Sequence, residues 1–198
     1  IGTPAGMIVH TGDFKFDQSP VDGQLVDYRR LSELGDGGVL ALLSDSTNAG
    51  RDGFTPSERA VGKAFEEIFR SAAGRVVLAC FASNIHRVQQ VLDVAAALGK
   101  QVAISGKSMV ANTRIASELG YLLIPKGTLV SLEELQRLPP AQGVVVTTGS
   151  QGEPLSAISR MAAGEHKQLQ VAPGDTVIFS ARVIPGNEKS IGRTINRL

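Results

Sequence analysis

Short apolar runs alternate along the chain with segments whose apolar residues recur at helical spacing. The clearest runs are MIVH at 7–10, VLALLS at 39–44, RVVLAC at 75–80, QVAI at 101–104, GVVVTT at 143–148 and DTVIFS at 175–180, with LLI at 122–124 a weaker seventh. This alternation is the pattern of βα units and predicts an α/β fold whose mainly parallel sheet is covered on both faces.

The helices announce themselves by their caps. Thr55, Pro56, Ser57 and Glu58 combine an N-cap, a proline at the first helical position and a reciprocal glutamate, which predicts a helix from there to about Ser71. Ser131, Leu132, Glu133 and Glu134 repeat the capping box before a short helix that Pro139 and Pro140 must end. A third helix, from about Asn84 to Leu98, sets Ile85, Val88, Val91, Leu92 and Ala95 on one stripe. The loop-like stretch at 48–53, with two glycines and mixed charge, marks a boundary that divides the chain into 1–52 and 53–198.

Composition narrows the class. With 42% hydrophobic and 20% charged residues, the chain is neither disordered nor fibrous, and no apolar run nears the roughly 18 residues of a membrane span. The opening IGTPAGMIVHTGDF does not resemble a secretory signal and reads as the middle of a longer protein. The single cysteine, Cys80, cannot form an internal disulfide and sits in an apolar run, which suits a reducing cytoplasm. A net charge of +1 means that any nucleic-acid contact must come from local clusters of cations.

The candidate chemistry gathers where strands end. His10, Thr11, Gly12 and Asp13 follow the first run directly, and Asp13 is either a metal-ligating carboxylate or the cap of a turn. Asp45, Ser46, Thr47 and Asn48 repeat that arrangement with the same two readings, while His10 reads as structural. Ser83 and Asn84 join a strand to a helix, where they could hold a phosphate oxygen or simply cap the helix. Gly149 and Ser150, in TTGSQGEP, sit at another strand-to-helix joint open to a phosphate or ribose contact. That string fails the spacing of a serine nucleophile elbow. Ser105, Gly106, Lys107 and Ser108 fail as a phosphate-binding P-loop because Gln101 stands where the leading glycine belongs, which leaves Lys107 as a possible RNA-backbone contact or a solvated lysine. Arg182, Lys189, Arg193 and Arg197 read as a solvated surface and are given no role.

Five strings, IVHTGDFKFDQSPVDG, LLSDSTNA, FASNIHRVQQV, VVTTGSQGEP and VIPGNEKSIGRTINRL, together resemble ribonuclease J in order and spacing. The resemblance implies an internal piece of a metal-dependent ribonuclease of the metallo-β-lactamase superfamily. Residues 1–52 would be a partial metallo-β-lactamase segment, and 53–198 a nearly complete β-CASP domain truncated at its C-terminal end. It implies 5′-3′ exonuclease and endonuclease action on RNA in processing and decay, with two divalent ions, zinc or manganese, in the full-length enzyme. By that likeness Asp13 is a bridging metal ligand, Asp45 is the acidic residue supporting a histidine near the scissile phosphate, and Ser83 and Asn84 meet a 5′-phosphate, while Gly149 and Ser150 stay RNA phosphate or ribose contacts by their place after a strand.

The implied partners are RNA and further copies of the same chain, as a dimer or tetramer, in the cytoplasm and without a membrane. The chain's three histidines, His10, His86 and His166, show no metal-ligand spacing, so the piece alone is expected to hold no metal and to be inactive. The torn metallo-β-lactamase edge is expected to expose apolar surface. A non-catalytic RNA-binding module is the alternative, and it predicts RNA binding indifferent to chelators.

Overall fold

A computed structural model describes residues 1–198, which divide into two compact units, Ile1–Ala60 and Val61–Leu198. The second unit is built on a four-stranded, wholly parallel sheet in the order β5-β6-β4-β7, formed by β4 (Val76–Ala79), β5 (Gln101–Ser105), β6 (Gly143–Thr147) and β7 (Thr176–Phe179). Its helices are α2 (Arg59–Ser71), whose first turn straddles the division between units, α3 (Ile85–Ala97), α4 (Lys107–Glu118), α5 (Leu132–Gln136), α6 (Ala157–Ala162) and α7 (Glu188–Ile195).

β4 and β6 are apolar on both sides because both sides are covered. Side chains alternate across a strand, so Val76, Leu78, Val144 and Val146 pack on one face with Phe65, Phe69, Val88 and Leu92. Val77, Ala79 and Val145 pack on the other with Leu135, Ile158 and Met161. All four residues of β4 have no exposed surface. The stripe expected on α3 is present: Val88, Val91, Leu92 and Ala95 are fully buried, and Ile85 packs partly buried against them. Cys80 is 1% exposed within the first of these layers, and burial pushes its thiol up to about 12.

The weak seventh run does not form a strand. Leu122 is buried while Leu123 points outward, with its backbone N–H and C=O both held by the Gln89 side chain. Pro125 and the turn after it carry the chain to the open edge of β5. There Val102 donates to Thr128 O at 2.7 Å and Val130 donates to Val102 O at 2.9 Å, so a single bridge at Leu129 takes the place a seventh strand would have had. The capping box at Ser131 forms in full, with Glu134 N–H donating to Ser131 Oγ and Ser131 N–H donating to Glu134 Oε2. Pro140 then opens a 3-10 turn, Pro140–Gln142.

The first unit carries β1 (Gly2–Thr3) antiparallel to β2 (Gly6–His10), which pairs in parallel with β3 (Ala41–Leu43), and one helix, α1 (Tyr28–Asp36), capped by Asp27. None of the buried hydrophobic side chains belongs to this unit, and Leu40, Leu42, Leu43 and Phe54 are exposed.

α2 begins at Arg59 rather than at the Thr55 cap, and the reason is an aspartate from elsewhere in the chain. Asp17 Oδ2 accepts from Glu58 N–H at 2.9 Å and from Ser57 Oγ at 3.0 Å, while its Oδ1 accepts from Ser19 N–H. The Glu58 N–H is the donor that a Thr55 N-cap would have accepted. The Glu58 and Ser19 N–H groups, helped by the Ser57 hydroxyl and Lys15, hold the Asp17 carboxyl down to about 2 from an ordinary 3.8.

Three outcomes follow from this packing. Phe69→Ala should cost about 3–5 kcal/mol of unfolding free energy in denaturant titration, and Phe54→Ala, at a fully exposed site, about 0.5 or less. The Cys80 thiol should react with Ellman's reagent only at the rate of global unfolding. Because the folded Asp17 carboxyl is depressed, its contribution is complete above about pH 3.8 and is lost as pH falls toward about 2. Amide exchange at 57–60 should therefore accelerate through that window, and Asp17→Ala should already exchange rapidly at neutral pH.

Candidate RNA-facing edge and strand-end carboxylates

In the second unit β4 and β6 lie side by side but send their following helices to opposite faces. α3 packs with Val76 and Leu78, whereas α6 packs with Val77 and Ala79. Two neighbouring parallel strands whose connections diverge leave a crevice beyond their carboxyl ends, the place where open α/β sheets bind ligands. Loops 80–84 and 148–156 follow the two strands at that point.

On the β4 side, Asn84 is the N-cap of α3, its side-chain oxygen accepting from Arg87 N–H at 3.1 Å. Ser83 is exposed, and its hydroxyl makes no hydrogen bond within the protein. It lines a 380 Å³ cleft together with His86, Asn112 and Tyr121. Asn112 of α4 steadies the loop by donating to Ala82 O at 3.0 Å. Arg87 reaches sideways to the end of β7, where its Nη1 donates to Ser180 O at 2.8 Å and to Ser180 Oγ at 2.5 Å.

On the β6 side, Gly149 has φ +109°, and a Cβ there would stand 2.1 Å from Ser156 Oγ and 2.5 Å from Ile158 Cγ2. The glycine thus lets the loop press against the start of α6. Ser150 is buried, and its hydroxyl has no hydrogen-bond partner. Gly152 meets α7 in the same way, its missing Cβ 2.4 Å from the Ser190 carbonyl carbon. Lys107 is the first residue of α4, after Gly106 at φ +101°, and lines an open 910 Å³ cleft with Thr148 and Glu153.

One arrangement escaped sequence reasoning. The Ser105 hydroxyl lies 3.2 Å from His166 Nε2, while His166 Nδ1 accepts from Leu169 N–H at 3.1 Å. A nitrogen that accepts carries no proton, so in the neutral ring Nε2 holds it and donates to Ser105. Burial, with Arg160 nearby, lowers the His166 pKa, which favours the neutral ring. This histidine therefore cannot act as the base for Ser105, and the pair is a structural bond between separated segments. No spacing rule would have revealed it, since 61 residues separate the two.

In the first unit, the parallel pairing of His10 with Leu43 brings both aspartate-bearing loops to one end of the strand pair. Thr11 joins them: its N–H donates to Leu43 O, and its Oγ1 accepts from Asp45 N–H at 3.1 Å. Asp45 Oδ1 accepts from Thr47 N–H at 3.0 Å and Thr47 Oγ1 at 2.7 Å, the turn-capping geometry. The same contacts, with the Phe14 N–H, lower its pKa, so it remains a carboxylate. Asp13 is exposed, and its carboxylate makes no hydrogen bond or ion pair. His10 Nδ1 accepts from Gly12 N–H at 2.9 Å. Nowhere do three His, Cys, Asp or Glu side chains converge as metal ligands would, so these residues supply single donors and not a complete metal site.

The family model described as Ribonuclease J, beta-CASP domain, matches residues 73–198. Among curated proteins, Ribonuclease J of Mycobacterium tuberculosis is 48% identical over 99% of this chain and 35% of that protein. Ribonuclease J of Thermus thermophilus is 48% identical over 100% of this chain and 34% of that protein, and the Helicobacter pylori protein of the same name is 46% identical over 100% and 29%. The chain spans about a third of the length of these relatives. A match across most of the chain, falling on the parallel sheet and its carboxyl-edge loops, means that this chain belongs to the ribonuclease J β-CASP family.

Proposed function

We propose that this chain is an internal segment of a metal-dependent ribonuclease that hydrolyses RNA phosphodiester bonds in RNA processing and decay, by 5′-3′ exonuclease and endonuclease action. The observation that carries the reading is the family match to the second unit, whose sheet opens a crevice between the loops after β4 and β6. Residues 53–198 are read as the β-CASP domain and 1–52 as part of a metallo-β-lactamase domain. The exposed apolar side chains on the short first-unit sheet support that second assignment.

Asp13, exposed and unbonded, is available as a metal ligand, and in the full-length protein two divalent ions, zinc or manganese, would draw their other ligands from outside this chain. Asp45, held as a carboxylate, would orient a histidine that this chain does not supply. Ser83 and Asn84 lie at the accessible wall of the crevice and are the first choice for an RNA phosphate. Gly149 and Ser150, turned toward α6 and the interior, serve that wall by shaping it and contact RNA only at its inner end. The full-length protein is read as a cytoplasmic homo-oligomer, a dimer or tetramer. No helix here is long and apolar enough to cross a membrane.

The full-length protein should degrade 5′-monophosphorylated RNA with added manganese, and Asp13→Ala should lose more than the roughly 10–100-fold typical of a residue that only supports a metal ligand. The 198-residue chain by itself should show no hydrolysis. Undiminished activity of Asp13→Ala, at matched folding, would remove Asp13 from the site.

A further inference from the structure

Gln151 is 4% exposed, yet its side-chain bonds all go to one surface loop. Its Nε2 donates to Arg182 O at 2.8 Å, and its Oε1 accepts from Ile184 N–H at 2.9 Å and Asn187 Nδ2 at 3.3 Å. A buried amide that satisfies both ends on the 182–187 backbone and its flank fixes that loop in place. Gly152 presses on α7 just beyond, which adds a second point of attachment.

The pinned loop displays an arginine with nothing to hold. Arg70, Arg114 and Arg137 in the same unit pair with Glu66, Glu118 and Glu133 one turn away. Arg182 is exposed, and its guanidinium makes no hydrogen bond or ion pair. Its position is defined by the sheet: β7 runs parallel beside β4 with Phe179 opposite Ala79, and Ser180 N–H donates to Ala79 O. Arg182 therefore follows, three residues on, the strand adjacent to the one that leads into Ser83 and Asn84, the two strands lying about 5 Å apart in the plane of the sheet. Arg87, from the start of α3, ties the two strand ends together through Ser180.

We infer that Arg182 is an RNA-backbone contact of this edge, and that Gln151 is its positioning residue, holding the 182–187 backbone so that only the side chain, and not the loop, has to be ordered when the guanidinium meets a phosphate. The inference rests on the ribonuclease reading of the same edge. A guanidinium suits the task because its forked donors match two phosphate oxygens, and a backbone fixed in advance spares the ordering cost on binding.

The test uses the full-length protein with its metal and a fluorescein-labelled 2′-O-methyl oligoribonucleotide that resists cleavage, with anisotropy followed across a salt series. Arg182→Ala should weaken binding about fivefold to tenfold and reduce the slope of log Kd against log salt by about 0.7, the value for one phosphate contact on a single strand. Arg182→Lys should keep the slope. Gln151→Ala, confirmed folded by its thermal transition, should weaken binding while adding little once Arg182 is already alanine. An unchanged Kd and slope in Arg182→Ala, with the wild type binding well, would overturn the inference and leave the ribonuclease reading standing. A wild type that fails to bind the oligonucleotide would overturn both.

Discussion

β4 is the strand on which the second unit depends. It is flanked in parallel by β6 and β7, has no exposed surface, and feeds alternate side chains into two separate apolar layers. Burial on both faces requires every backbone group to be paired within the ladder, and a central parallel strand meets that requirement. Because Val76 and Leu78 face α3 while Val77 and Ala79 face α6, the strand also dictates that the loops after β4 and β6 part company. The crevice is thus a by-product of how the core is covered.

The edge above that crevice is braced by polar side chains rather than by apolar packing. Arg87 joins the start of α3 to Ser180, Gln151 reaches from the loop after β6 to the loop after β7, and Asn112 holds the loop after β4. Each brace binds backbone carbonyls or amides, which fixes loop position while leaving other side chains, Ser83 and Arg182 among them, turned outward. The first unit contrasts with this edge: its two strand-end loops are bonded to each other through Thr11 and Asp45, but its sheet buries no apolar side chain.

Much of this was legible in the sequence, and for identifiable reasons. Six of the seven runs named fall on strands, β4 and β6 because strands covered on both faces appear as unbroken apolar runs, and the Ser131 capping box could be read from two residue types at fixed spacing. Three of the exceptions share one cause, which is contact between residues far apart in the chain. Asp17 captures the donors at Ser57 and Glu58 and delays α2, Leu129 occupies the ladder position that 122–124 was expected to fill, and His166 reaches Ser105. α1 went unseen because it buries nothing, and without a core-facing stripe a short helix leaves little trace. At the site, the strand-end placement of Asp13, Asp45, Ser83 and Asn84 was evident, whereas the inward turn of Ser150 and the reach of Gln151 depend on tertiary packing.

The central claim, that RNA lies along the carboxyl edge of the parallel sheet, is tested most directly by ultraviolet cross-linking of 4-thiouridine-substituted RNA to the full-length protein, followed by peptide mass spectrometry. Within this chain, cross-links should fall on 81–87, 148–156 and 180–187, all at that edge. Cross-links confined to the apolar cleft between α4 and the segment before α5, lined by Val110, Ile124 and Leu132, would contradict the account.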